Sequence, residues 1–155
     1  MTIARLIEGR DQEIIHCAPT DTVHHAARLL DEKRIGALPV LVDGKVAGIF
    51  SERDLLYCVA KEGGATLDQP VRAVMTAPAI TIDVTENALA ALALMTRRRI
   101  RHLPVVDGEK LVSFVSIGDL VKFRIELVEA EARQLRDYIR TAWAGGRQGL
   151  HKIHG

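Results

Sequence analysis

The sequence predicts a mixed α/β (α+β) fold: two βαββα repeats related by a pseudo-two-fold axis, followed by a long C-terminal helix. Three observations carry this. Lys33-Arg34-Ile35-Gly36-Ala37-Leu38-Pro39-Val40 returns as Arg98-Arg99-Ile100-Arg101-His102-Leu103-Pro104-Val105. Each copy then leads to a Ser-x-x-Asp, and Pro39, Ser51 and Asp54 all recur 65 residues on, as Pro104, Ser116 and Asp119. Helical and strand periodicities also follow one another in the same order in both copies. A constant offset marks one unit written twice. Such a unit can pair with itself, which makes the cleft between the halves the natural place for a ligand.

The elements follow in order. An entry segment, residues 1–12, mixes Ile3, Leu6 and Ile7 with charges and suits a short helix. The first repeat covers residues 13–64. Ile14-Ile15 reads as a short strand closed by Pro19. Thr20 or Asp21 can cap a helix from about Thr22 to Lys33, with Val23, Ala26, Ala27 and Leu30 at helical spacing. Ala37 to Val42 is a buried-type strand, Asp43-Gly44 a two-residue hairpin turn, and Val46 to Phe50 the return. Ser51 starts a helix to about Val59 that stops near Gly63-Gly64. Residues 65–78 form a linker and lead-in.

The second repeat, residues 79–123, keeps this order. Ala79 to Ile82 is a strand, and Thr85 caps a helix from Glu86 to Arg98. His102 to Val106 and Leu111 to Val115 are strands about an Asp107-Gly108 turn. Ser116 opens the last helix. Its extension, residues 124–144, places Val121, Ile125, Val128, Ala132, Leu135, Ile139 and Ala142 at alternating spacings of four and three, a heptad seam. Gly145-Gly146 is expected to end it, leaving a flexible tail over 145–155 with His151 and His154.

Composition narrows the function. Aromatics are 4% of the chain, so Leu, Ile, Val and Ala build the core. A net charge of +1 gives no bulk attraction to nucleic acid or membrane. No apolar run has the length to span a bilayer. The N-terminal Arg5, Glu8, Arg10 and Asp11 do not form a secretory h-region, and Cys17 and Cys58 suggest no disulfide framework. A cytoplasmic location is expected. Walker, G-x-G-x-x-G and nucleophile-elbow patterns are missing, and no histidine spacing suits zinc, so neither a catalytic residue nor a metal site is assigned.

The Ser-x-x-Asp sites carry the chemistry. One of them alone would be read as a helix capping box. The same turn also offers free amides and the positive end of a helix dipole to a phosphate, and a carboxylate that can accept from adjacent ribose hydroxyls. Two copies, each after a Leu-Pro-Val strand, favour a ligand. In the basic run, Arg97 and Arg98 suit a solvated helix end, Arg99 matches Arg34, and Arg101 at the strand mouth is assigned to phosphate. His102 has the best claim among the histidines.

RIGALPVLVDGKVAGIFSERDLL and RIRHLPVVDGEKLVSFVSIGDLV, with the lead-in Val74-Met75-Thr76, resemble the cystathionine β-synthase (CBS) domain in tandem, the Bateman module, of the stand-alone bacterial signal-transduction type. The resemblance spans about Ile14 to Phe123. It implies an adenosyl ligand (AMP, ADP, ATP, NAD(H) or S-adenosylmethionine) in the cleft between repeats, with no covalent cofactor. Carried over by position, Ser116 and Asp119 would hold phosphate and ribose in a first site. Arg101 and His102 would sit near the phosphates, and Ile15, Ile35 and Gly36 against adenine. In a second site Ser51 and Asp54 would take the ribose and Arg53 a phosphate, with Ile80, Ile100 and Arg101 from the other repeat. The copies differ at Arg53/Gly118 and at Gly36-Ala37/Arg101-His102, so unequal sites are expected. The implied protein is an energy or redox sensor, a homodimer with an unknown downstream protein partner. Nucleotide hydrolysis, or nucleic-acid binding through Arg97 to Arg101, stands as the alternative.

Overall fold

The computed structural model describes residues 1–10 and 13–151. It divides into two units, Met1–Ile117 and a second that begins at Gly118. The first holds α1 (Ile3–Ile7), α2 (Val23–Lys33), β1 (Ala37–Val42), β2 (Lys45–Ser51), α3 (Glu52–Glu62), β3 (Ile82–Asp83), α4 (Ala88–Arg98), β4 (His102–Asp107) and β5 (Lys110–Ser116). The remaining helix, α5, runs from Ile117 to His151.

The 65-residue offset survives into backbone detail. Antiparallel β1–β2 pairs Leu38 with Phe50 and slips register between Val40 and Leu41. Antiparallel β4–β5 pairs Leu103 with Val115 and slips between Val105 and Val106. Helices α2 and α4 both end on an arginine in the left-handed region, Arg34 and Arg99, each with φ 54°. The amide of the following isoleucine then reaches back five residues, Ile35 to the Leu30 carbonyl at 3.1 Å and Ile100 to Met95 at 3.0 Å. This is the Schellman closure, here made without glycine.

The core repeats as well. Val23, Ala26, Leu30, Leu38, Val40 and Phe50 in the first copy are answered by Ala88, Ala91, Met95, Leu103, Val105 and Val115, all buried. Three of the six pairs are identical, and the first copy carries the larger residue at two others (Phe50 against Val115, Val23 against Ala88).

Each repeat is closed by the segment that precedes the other. Ile3 N donates to Glu86 O at 2.8 Å and Ala4 N to Val84 O at 2.9 Å. One offset earlier, Val71 N donates to Asp21 O at 2.8 Å and Arg72 N to Pro19 O at 3.0 Å. Ile3 and Val71 are both fully buried. The segment expected as a linker therefore forms two 3-10 turns, Gly63–Asp68 and Val71–Ala73, and packs Val71, Val74 and Met75 on the first repeat's core.

Several expectations are corrected. Ile14-Ile15 forms no strand; Cys17 makes a single parallel bridge to Val40 instead. Its counterpart β3 is only Ile82–Asp83, shorter than Ala79 to Ile82 predicted. Val84 N extends that ladder to Val106 O at 3.0 Å. The equivalent residue in the first repeat is Pro19, which has no N–H to give. The caps are Thr22, accepting from His25 N, and Asn87, accepting from Leu89 N. Asp21 instead holds the Ala18 amide at 2.8 Å, and the Thr85 hydroxyl donates to Asp83 at 2.8 Å.

The second hairpin turns at Gly108-Glu109, between the paired Asp107 and Lys110. Register outweighs the Asp-Gly signal there, and Gly108 supplies the positive φ, 64°. Finally, α5 does not stop at Gly145-Gly146. A glycine ends a helix by turning left-handed, and neither of these has a positive φ. Residues 152–155 of the expected tail lie outside the described residues.

Candidate functional site

A cavity of about 740 Å³ opens between the two repeats of the first unit. The β1 entrance contributes Gly36 and Ala37, and the β2–α3 turn contributes Ser51, Arg53 and Asp54. Thr76 and Ile80 enter from the connecting segment, and Arg99, Ile100, Arg101 and His102 from the α4–β4 turn. Its size lies within the range of small-ligand pockets.

Asp54 is placed by sequence-local chemistry. Ser51 ends β2 in extended geometry and caps α3, so that Ser51 Oγ accepts from Asp54 N at 3.2 Å. Asp54 Oδ2 accepts in return from Ser51 N at 2.9 Å and from the Ser51 hydroxyl at 3.0 Å. The capping box therefore exists, and Asp54 still lines the cavity. Its second oxygen, Oδ1, accepts from the Thr76 hydroxyl at 2.9 Å. Sequence reasoning flagged Val74-Met75-Thr76 as a lead-in and missed this contact, because it joins residues 22 apart in sequence.

The rest of the wall mixes apolar side chains with three arginines and Glu52. Arg53 Nη1 donates to the Arg99 carbonyl at 3.5 Å, a long bond that ties the repeats across the cavity. Arg101 lies beside them on the same lining. Gly36 lies close to its neighbours: a Cβ on it would stand 3.3 Å from His102 Cε1 and 3.5 Å from Glu52 Oε1. The His102 ring is stacked on Phe114, centroids 5.6 Å apart and 12° from coplanar. Three arginines and two carboxylates, Glu52 and Asp54, on one lining suit a ligand carrying both phosphate and hydroxyls.

The structure thus gathers Ser51, Arg53, Asp54, Ile80, Ile100 and Arg101 of the second expected site, together with Gly36 and His102 of the first. The remaining first-site residues are spread out. Ile15 and Ile35 pack against the first repeat's core, and Ile35 also lines a separate cavity of about 430 Å³ with Arg34 and Glu52. Ser116 pairs with His102 across β4–β5, while Asp119 falls in the second unit.

Away from the cavity, burial and then the Asp21 charge push the Cys17 thiol up to about 12. Both cysteines are buried free thiols. The Thr85 amide, and then its hydroxyl, hold the Asp83 carboxyl below its usual range. Among the described residues no helix is long and apolar enough to cross a membrane.

The comparisons agree with this architecture. The family model of the CBS domain matches twice, over residues 10–61 and 71–126. A mitochondrial CBS domain-containing protein of Arabidopsis thaliana is 33% identical over 141 residues, 88% of this chain and 68% of its own length. A crystal structure of a CBS-domain containing protein from Agrobacterium tumefaciens superposes with a TM-score of 0.75 at 34% identity, covering 80% of this chain and 99% of its own. A CBS domain protein of Pyrobaculum aerophilum, complexed with AMP, superposes with a TM-score of 0.72 at 27% identity, covering 85% and 99%. Two matched segments, coinciding with two repeats that share one set of caps, register slips and core positions, make this chain a member of the CBS domain family with a tandem pair of domains.

Proposed function

We propose that the chain is a regulatory module, not an enzyme, that binds an adenine nucleotide (AMP, ADP, ATP or NAD(H)) in the 740 Å³ cavity. The observation that carries this reading is the cavity itself, where an acidic helix start from one repeat meets arginines from the other. Asp54 receives the ribose hydroxyls, with Ser51 holding the carboxylate in place. Arg53 and Arg101 take phosphate, and Ile80 and Ile100 flank the base, with Gly36 and His102 at the seam between repeats. The AMP complex of the Pyrobaculum aerophilum relative supports the ligand class. The module works in the cytoplasm as a homodimer and acts on a downstream protein partner. Ligand changes its output only by the difference in affinity between two arrangements.

Calorimetric titration of the full chain with AMP, ADP, ATP and NAD(H) tests the reading. Saturable binding is expected for at least one of them. Asp54→Asn should weaken it by about tenfold or more, the worth of a hydrogen bond to a charged group. The variant keeps an oxygen for the Ser51 amide, so its melting temperature should change little. Absence of binding at millimolar ligand overturns the proposal.

A further inference from the structure

From Val128 to Gly146 every residue of α5 is exposed. A helix without tertiary packing is marginal in water, and an apolar stripe on one needs a cover. The stripe here is well formed. Counted in heptads, Ile125, Ala132 and Ile139 fall at position a, and Val128, Leu135 and Ala142 at position d. Leu135 is 60% and Ile125 52% exposed. Isoleucine at two of the three a positions, with Leu135 at the central d, matches the pattern of two-stranded pairs.

The flanks identify the partner. Position g carries Arg124, Glu131 and Tyr138, and position e carries Glu129, Arg136 and Trp143. In a parallel, in-register pair, each g faces the e of the next heptad on the other helix. That sets Arg124 against Glu129, Glu131 against Arg136 and Tyr138 against Trp143 of a second copy. Two opposite-charge pairs and one aromatic pair are satisfied in one register, twice over by symmetry. Tyr138 and Trp143, 72% and 69% exposed, are the largest apolar groups that this pairing covers.

We infer that α5 is the dimerisation surface of this protein and that its occupant is α5 of a second copy, in a parallel two-stranded coiled coil. The inference rests on the homodimer reading and gives it a location and a direction. The charge pairs set specificity for self and the a/d seam supplies the affinity.

Light scattering with size-exclusion chromatography on the full chain is the first measurement, with a dimer expected. Leu135→Asp should yield a monomer whose nucleotide titration is unchanged. Arg124→Glu should raise the dimer dissociation constant about tenfold, and the double variant Arg124→Glu/Glu129→Arg should return it, since the pair is reversed rather than broken. Leu135→Cys should form an intermolecular disulfide under mild oxidation, because d faces d only in a parallel pair. A wild-type monomer overturns both the homodimer reading and this inference. A dimer that survives Leu135→Asp overturns the inference alone. Failure of the double variant to recover, or of the cysteine to cross-link, overturns the parallel register.

Discussion

Asp54 accepts three hydrogen bonds from within the chain, two from Ser51 and one from Thr76. An ionised carboxylate offers about four acceptor sites. A ribose diol that donates twice must therefore displace one of these bonds. The Ser51 bonds close the helix cap, so the Thr76 hydroxyl is the one to yield. Thr76→Val removes that competitor at nearly constant volume. Titration with nucleotide should show binding several-fold tighter than in the unaltered chain; weaker binding would mean that Thr76 contacts ligand directly. The capping box was readable from Ser51 and Asp54 alone, since it is local. Thr76 was not, because a hydroxyl that meets its acceptor only after the chain has crossed β2 leaves no periodic signal.

At the scale of elements, β2 is held on its outer edge by the lead-in. Ile49 N donates to Thr76 O at 2.9 Å and Thr76 N to Ile49 O at 2.8 Å. Gly48 makes room for this approach. A Cβ there would lie 2.8 Å from both Met75 Sδ and the Thr76 carbonyl oxygen, and the carbonyl cannot rotate away. Gly48→Ala should cost about 1–3 kcal/mol in urea unfolding, as overpacking does. It should also loosen the Thr76–Asp54 contact. Ser113, the equivalent position in the second repeat, already carries a side chain, and Ser113→Ala should cost less. The glycine's role is invisible in the sequence, where Gly48 sits in an ordinary strand pattern. The hairpins were legible because Asp43-Gly44 and Gly108 name their turns, while their register was settled by cross-strand packing.

At the scale of the molecule, the two repeats are interlocked by exchange of their entry segments. Ile3 precedes the first repeat and is fully buried, and its amide bonds to Glu86 at the start of the second. Ile3→Ala should destabilise the chain by about 2–5 kcal/mol, the usual cost of truncating a buried isoleucine. Hydrogen exchange should place the lost protection in α4 and β4, 80 or more residues away in sequence, and not in α2 and β1. Loss confined to the first repeat would contradict the exchange. The same interlocking places Val71, within the connecting segment, in the first repeat's core.

Taken by itself, the sequence determined the duplication, the order of elements, the hairpins, the capping box and the apolar seam of α5. All of these arise from interactions between neighbours or from a period that neighbours share. Only the tertiary structure decided that Thr76 closes on Asp54, that Gly36 and Gly48 admit close neighbours, and that each repeat is completed by the other's lead-in. Such contacts join segments far apart along the chain, and their strength depends on shape and distance, which no local pattern encodes.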